Sequence, residues 1–222
     1  MDTGSNHRIC REVDGLKIIE HAGVCPVLRE SECLLKYAAR ETASTVLDMG
    51  TGTGYIAISM AKKGFQATGV DIDPLAIKTA MKNAALNSVN IGLFKSDLFS
   101  GVKDRYDIII FNAPTIANNM SLYRLILLFN RLFPAGHRDR LSLLHELPII
   151  KSALFKSRKA LIFKFLAGCG EHLNPLGRVF MLASPEDLED AIIPYCNHHS
   201  LKIGWEPVAE VLIKRYIVRI DF

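Results

Sequence analysis

The chain has 222 residues, 49% hydrophobic and 23% charged, which is enough apolar side chain to close a core and excludes a disordered segment. Its net charge of +4 is too small to single out a polyanionic partner. The five cysteines, Cys10, Cys25, Cys33, Cys169 and Cys196, stand far apart with no CxxC pair, so they read as reduced thiols in a cytoplasmic protein and not as a zinc site or a disulfide frame.

The opening MDTGSNHRICREVDG is polar and lacks the apolar run of a secretion signal. No stretch of about 18 uncharged apolar residues follows, since LIFKFLAG is broken by Lys164. The expectation is a soluble protein with no membrane partner. Residues 1–44 read as a lead-in, a short hairpin and then a helix within SECLLKYAAR.

From Thr45 onward strands alternate with helices. TVLDMG (45–50) reads as a strand, and YIAISMAKKG (55–64) as a helix closed by Gly64. QATGVDI (66–72) is a second strand. Asp73-Pro74 then supplies an N-cap with proline at the first helical position, opening a helix over 75–87 with Ile77, Ala80, Met81 and Ala84 on one face. IGLFKS (91–96) and YDIIIF (106–111) are the next strands. RVFMLAS (178–184) follows a turn at NPLG, residues 186–198 are helical, and KIGWEPVAEV and KRYIVRI are the last two strands. Continuous apolar strands alternating with helices predict an α/β fold: three layers, doubly wound around a mostly parallel seven-stranded sheet.

Residues 119–164 interrupt that rhythm as a helical insert. It carries nine basic residues against Asp139 and Glu146, a local +7 that exceeds the whole chain's charge. SLYRLILLFNRLF (121–133) is amphipathic, with Leu125, Leu128, Phe129 and Leu132 on one face, and a second helix follows Pro148. Beside the mouth of the fourth strand, such a pair is a natural lid. Its charge suits an acidic small molecule, a nucleic acid or an acidic protein surface; equally, its basic residues solvate helices whose leucines face the core or a homodimer partner. The histidines make no spaced metal set, and no metal is expected.

The most informative segment is VLDMGTGTGYIAI. A strand ends at Asp48, and Gly50, Gly52 and Gly54 alternate through the strand-to-helix turn, where a ligand's close approach needs residues without side chains. Tyr55 stands where a dinucleotide fingerprint would need glycine, and no Gly-Lys-Ser/Thr of a phosphate loop follows. Asp71 ends the next strand, 17 positions after Gly54, near the offset of an acid that binds ribose hydroxyls; Asp73 is the second choice. Asp97 in KSDLF lies just past the third.

D-x-G-x-G-x-G resembles motif I of class I S-adenosylmethionine-dependent methyltransferases, and DLF…YDIIIFNAPT resembles the HemK/PrmC-type N-methyltransferases, whose fourth strand runs into Asn-Pro-Pro-Tyr. The match covers residues 44–118 well and 165–222 loosely. The resemblance implies S-adenosylmethionine as cofactor, held by Asp48, Gly50, Thr51, Gly52, Gly54 and Tyr55, by Asp71 and Ile72, by Asp97 and Leu98, and by Asn112. It implies that Asn112, Ala113 and Pro114 form the catalytic tetrapeptide with Thr115. The Asn112 side-chain oxygen and the Ala113 carbonyl would hold an acceptor NH₂ with its lone pair toward the methyl group. Thr115 replaces the tyrosine whose ring would lie against a planar acceptor, a contact worth about 1–3 kcal/mol per stacked base. Phe111, Tyr123 or Trp205 are the candidates to compensate; Thr115 and Tyr123 are the substrate-side choices. Glu30 and Glu32 in the lead-in lie near the cofactor in this reading.

The altered tetrapeptide, and the lack of the helical bundle that grips the release factor in that family, place a small-molecule amine, amide or amino-acid-derived acceptor first. A protein glutamine or RNA base reached through the basic insert is the alternative. A cofactor-binding regulatory protein without chemistry is the third reading.

Overall fold

A computed structural model describes residues 8–21, 23–113, 148–208 and 214–222, with side chains described from Ile9 and, in the helix that begins at Pro148, from Arg158. Pro114, Thr115, Tyr123 and the expected helix over 121–133 lie outside the described residues.

The chain opens with β1 (Arg8–Val13) and β2 (Leu16–His21), an antiparallel pair. Their turn, Asp14-Gly15, has positive φ at both residues, the geometry that matches strand twist in a two-residue hairpin. Next come α1 (Arg29–Ala38), β3 (Thr45–Met49), α2 (Tyr55–Lys62), β4 (Gln66–Asp71), α3 (Pro74–Leu86), β5 (Gly92–Lys95) and β6 (Tyr106–Phe111). After α4 (Pro148–His172) and β7 (Leu173–Ala183), α5 (Pro185–Asp187) passes through a π-helical turn (Leu188–Ile192) into α6 (Ile193–His198), and β8 (Lys202–Pro207) and β9 (Tyr216–Asp221) end the chain.

β3 to β9 form one seven-stranded sheet in the order β5-β4-β3-β6-β7-β9-β8. β9 is antiparallel to both its neighbours, while β5, β4, β3, β6 and β7 run parallel. The chain leaves β3 outward through β4 and β5 and returns to β6 on β3's other side. Strand order therefore reverses between β3 and β6, and the crevice at their C-terminal ends is where such a sheet binds ligands.

The strands are apolar throughout because both faces are covered. Leu47, Met49, Ile109, Phe111, Val179 and Met181 pack into one layer with α4, the π-helical turn and α6. Val46, Ile108, Ile110, Phe180 and Leu182 pack into the other with α1, α2 and the hairpin's Val13, Leu16 and Ile18.

Four details depart from the sequence reading. In α3 the buried stripe is Ala76, Ile77, Thr79, Ala80, Asn83 and Ala84, whereas Met81 is exposed. Asn174 to Gly177, read as a turn before the strand, bulges out of β7 itself: Tyr106 faces Leu173 but Ile108 faces Arg178, and Leu176 there has φ +64. β8 ends at Pro207, and residues 209–211 of the expected run lie outside the described residues. Finally the helix read after Pro148 does not only flank the sheet as part of an insert: in α4, Ile162, Phe165, Leu166 and Cys169 are fully buried against the sheet. That half of the helix is a layer of the core. No helix among the described residues is long and apolar enough to cross a membrane.

The hairpin is fixed to α3 by two side-chain amides. Asn83 Oδ1 accepts from Ile19 N–H at 2.8 Å and its Nδ2 donates to Ile19 O at 3.0 Å. Asn87 does the same with Lys17, at 3.0 and 2.8 Å. The two amides take the place of a third strand.

Candidate active site

The turn after β3 is tied to its neighbour strand. Gly50 and Thr51 N–H both donate to Val70 O, at 2.8 and 2.9 Å, and Gly54 N–H closes the turn onto Thr51 O at 2.8 Å. Gly54 has φ +81, and a Cβ on it would sit 2.9 Å from the Ala80 Cβ, so no other residue fits between the loop and α3. Gly50 is exposed between buried Met49 and Thr51: at this one point the loop presents bare backbone to the crevice.

Asp48 lies beneath the loop. Its Oδ2 accepts from Thr51 Oγ1 at 2.7 Å and from Ala57 N–H at 3.2 Å. Burial pushes its carboxyl up to about 7, against the two hydrogen bonds that favour the ionised form. Tyr55 opens α2 with its ring buried and its hydroxyl donating to Asp14 in the hairpin turn; burial, then that bond, raises the phenol.

Asp71 joins three strand ends. Its Oδ2 accepts from Gly52 N–H and its Oδ1 from Asp73 N–H, each at 2.9 Å, while its carbonyl accepts from Ser96 N–H at 2.9 Å. Burial raises its carboxyl above the ordinary value. Asp73 caps α3, its Oδ1 accepting from Leu75 N–H at 2.8 Å, and Ile72 is exposed.

The third turn is shaped by Ser96, whose Oγ donates to Leu98 O and accepts from Gly101 N–H at 2.9 Å. Leu98 is buried in the left-handed region, φ +48, an uncommon conformation for a bulky residue. Asp97 is exposed, 3.4 Å from Lys164 Nζ. The segment after the hairpin crosses this crevice: a Cβ on Gly52 would lie 3.9 Å from Cys25 O. Glu20 holds the segment there, accepting from Val27 N–H at 3.0 Å and Arg11 Nε at 2.8 Å.

At the end of β6, Asn112 Nδ2 donates to Ser31 Oγ of α1 at 2.9 Å, which leaves Oδ1 on the opposite side of the fork. The Ala113 carbonyl accepts from Arg158 Nη1 at 2.8 Å. Sequence reasoning singled out Glu30 and Glu32 and passed over Ser31 between them; Glu32 pairs with Arg29 at 3.6 Å. It also counted Arg158 among charges that solvate a helix, whereas Arg158 is 8% exposed. Asp187, its ion-pair partner 29 positions on, carries no motif that would have linked them.

Two expected compensating aromatics are excluded as a wall for the acceptor. Phe111 is 2% exposed and its ring packs on Phe165, centroids 4.3 Å apart, because its register turns it into the core. Trp205 stands on edge strand β8, three strand spacings or about 14 Å from β6.

Residues 18–133, just over half of the chain, match the methyltransferase small domain model. A Methanocaldococcus jannaschii protein named a protein N5-glutamine methyltransferase is 45% identical over 104 residues, 46% of this chain and 53% of its own length. A release factor glutamine methyltransferase of Cereibacter sphaeroides is 41% identical over 92 residues, 40% of this chain and 33% of its own. This chain therefore spans about half of the first and a third of the second. Among solved structures, a 16S rRNA N2 G1207 methyltransferase of T. thermophilus, in complex with AdoMet and guanosine, superposes with a TM-score of 0.64 at 19% identity over 98% of this chain and 51% of that one, a likeness of fold.

Proposed function

Because the chain belongs to the methyltransferase small domain family, we propose that it transfers a methyl group from S-adenosylmethionine to the side-chain amide nitrogen of glutamine in a protein. The sequence alone placed a small-molecule acceptor first. The stretch in common with two relatives named as glutamine methyltransferases favours the protein alternative. The observation that carries the reading is the register of β3 and β6, which pairs Met49 with Phe111 and so brings Asn112 and the glycine turn to the same end of neighbouring strands, where strand order reverses.

The residues present fit this cofactor. The exposed backbone at Gly50 leaves room for the amino-acid part. The Asp71 carboxylate, oriented by Gly52 N–H, suits ribose hydroxyls, and the Asp97-Leu98 turn suits an adenine edge and face. When bound, the cofactor supplies an electrophilic methyl carbon on a positive sulfur. An acceptor amide nitrogen has its lone pair delocalised and must be turned out of conjugation and aimed. The chain's part is orientation: Ser31 holds the Asn112 amide so that Oδ1 accepts one acceptor N–H, and the Ala113 carbonyl accepts the other. The acceptor nitrogen would take the methyl group, with the S–C bonding pair left on sulfur, and would lose one N–H proton to solvent.

The test is to incubate the protein with methyl-labelled S-adenosylmethionine and, separately, a purified release factor, an RNA fraction and a small-molecule extract. Label is expected in the protein and released as methylamine on acid hydrolysis, as an N-methyl amide requires. Label confined to RNA or small molecules refutes the glutamine acceptor.

A further inference from the structure

Arg158 projects from α4 into a space where an arginine is out of place, 8% exposed. Its Nε donates to both oxygens of Asp187, at 3.0 and 2.8 Å. Nη1 donates to the Ala113 carbonyl at 2.8 Å, and Nη2 reaches the Leu182 carbonyl at 3.4 Å. Asp187 is 1% exposed and is itself fixed, its Oδ2 accepting from Ser184 N–H at 2.8 Å at the start of the helical run that enters the π-helical turn. The guanidinium is thus oriented by the end of β7 and by that helical run, and one of its remaining arms ends on the carbonyl next to Asn112.

We infer that Arg158 is a positioning residue for methyl transfer: it clamps the Ala113 carbonyl and supplies the rigidity that alanine, unlike proline, leaves out at that position. The inference rests on the reading above, in which this carbonyl meets the acceptor NH₂. A proline would lock φ near −65°; Pro114 keeps Ala113 in extended backbone but alanine leaves its φ unlocked, and a misplacement of about 1 Å lowers rate roughly a hundredfold. The carbonyl oxygen has two lone pairs. Arg158 takes one and fixes the plane, and the other stays for an acceptor N–H. Asp187 neutralises the guanidinium, so the clamp does not set an unbalanced cation beside a nitrogen that becomes positive as the methyl arrives.

Removing Arg158 alone would strand the buried Asp187 carboxylate, so the test uses the paired variant Arg158→Met with Asp187→Asn, and separately Arg158→Lys, which keeps the charge but not the fork. Each is checked for a wild-type thermal transition. In protein labelled at alanine carbonyl carbons, the Ala113 resonance is identified by its loss in Ala113→Pro. Loss of the hydrogen bond should move it upfield in both clamp variants. With the release factor as acceptor, turnover should fall roughly tenfold to a hundredfold while affinity for S-adenosylmethionine stays within about twofold. Adding Ala113→Pro to the paired variant should restore most of that loss. An unmoved resonance, unchanged turnover, or a loss in folded protein that Ala113→Pro does not recover would overturn the clamp. If wild type labels no release factor, the acceptor assignment fails separately and the carbonyl resonance alone decides the clamp.

Discussion

Gly52 N–H donates to Asp71 Oδ2 at 2.9 Å, so the glycine turn of β3 and the acid at the end of β4 are one hydrogen-bonded unit before any ligand arrives. The Asp71 carbonyl extends the unit to the third turn through Ser96 N–H. Pre-orientation of this kind removes an ordering cost from binding. Asp71→Ala should weaken S-adenosylmethionine binding by roughly 10–100-fold, the range for losing a charged hydrogen bond of about 1.5–3 kcal/mol, and should also lower the urea midpoint, because Gly52 N–H and Asp73 N–H lose their acceptor. Titration of the variant by calorimetry checks this; unchanged affinity would remove Asp71 from the site.

Asn83 is fully buried and joins three backbone groups: Ile19 N–H, Ile19 O and, at 2.8 Å, the Thr53 carbonyl in the glycine turn. It links the hairpin to the glycine turn of β3. Asn83→Ala leaves those groups unpaired and should destabilise the protein by about 3 kcal/mol. Hydrogen exchange should show the Ile19 amide losing protection before the central strands do. A loss under about 0.5 kcal/mol would mean that water replaces the amide.

Asp48 gives the fold a pH dependence of definite sign. In the unfolded chain its carboxyl ionises near the ordinary value of 3.8, and in the folded protein near about 7, so folding takes up a proton between those values. Its contribution is fully present below about pH 4, declines as pH rises and is lost above about 7. The slope is about 1.4 kcal/mol per pH unit at most. Asp48→Asn, which cannot ionise, should flatten the stability profile across that window. Parallel profiles for variant and wild type in urea melts at pH 4.5 and 7.5 would show that Asp48 does not titrate there.

Under the proposed mechanism, variants of Asn112 and Ser31 should separate chemistry from binding. Asn112→Ala removes the acceptor's hydrogen-bond partner and should lower turnover roughly a hundredfold with cofactor affinity within about twofold. Ser31→Ala frees the amide to turn over and should lower turnover by a smaller factor, roughly tenfold. Single-turnover kinetics with the labelled acceptor distinguishes them; an equal loss of cofactor affinity in either variant contradicts the assignment.

The strands and helices of the sheet were legible because each follows from local signals, whereas the strand order was not read. Apolar runs such as YDIIIF fix strands, and Asp73-Pro74 fixes a helix start whose cap is present at 2.8 Å. What escaped the sequence depends on contacts between distant positions. Asn83 and Asn87 look like indifferent helix residues until the hairpin arrives at their side. Arg158 looks like one more charge in a basic run until Asp187 and the Ala113 carbonyl surround it. Met81 and Ala80 are both apolar neighbours on α3, and packing against Gly54 chose the smaller one for the interior. The bulge at Asn174 to Gly177 carries turn residues, and only pairing with β6 shows that the strand resumes on both sides of them.

The central claim, that the turns after β3, β4 and β5 together hold S-adenosylmethionine, is tested most directly by isothermal calorimetry on purified, ligand-free protein. Saturable heat at one site per chain with S-adenosylmethionine and with S-adenosylhomocysteine, abolished or strongly weakened in Asp71→Ala, is the predicted result. No heat with either compound, together with binding of a nicotinamide dinucleotide or a nucleoside triphosphate, would contradict it.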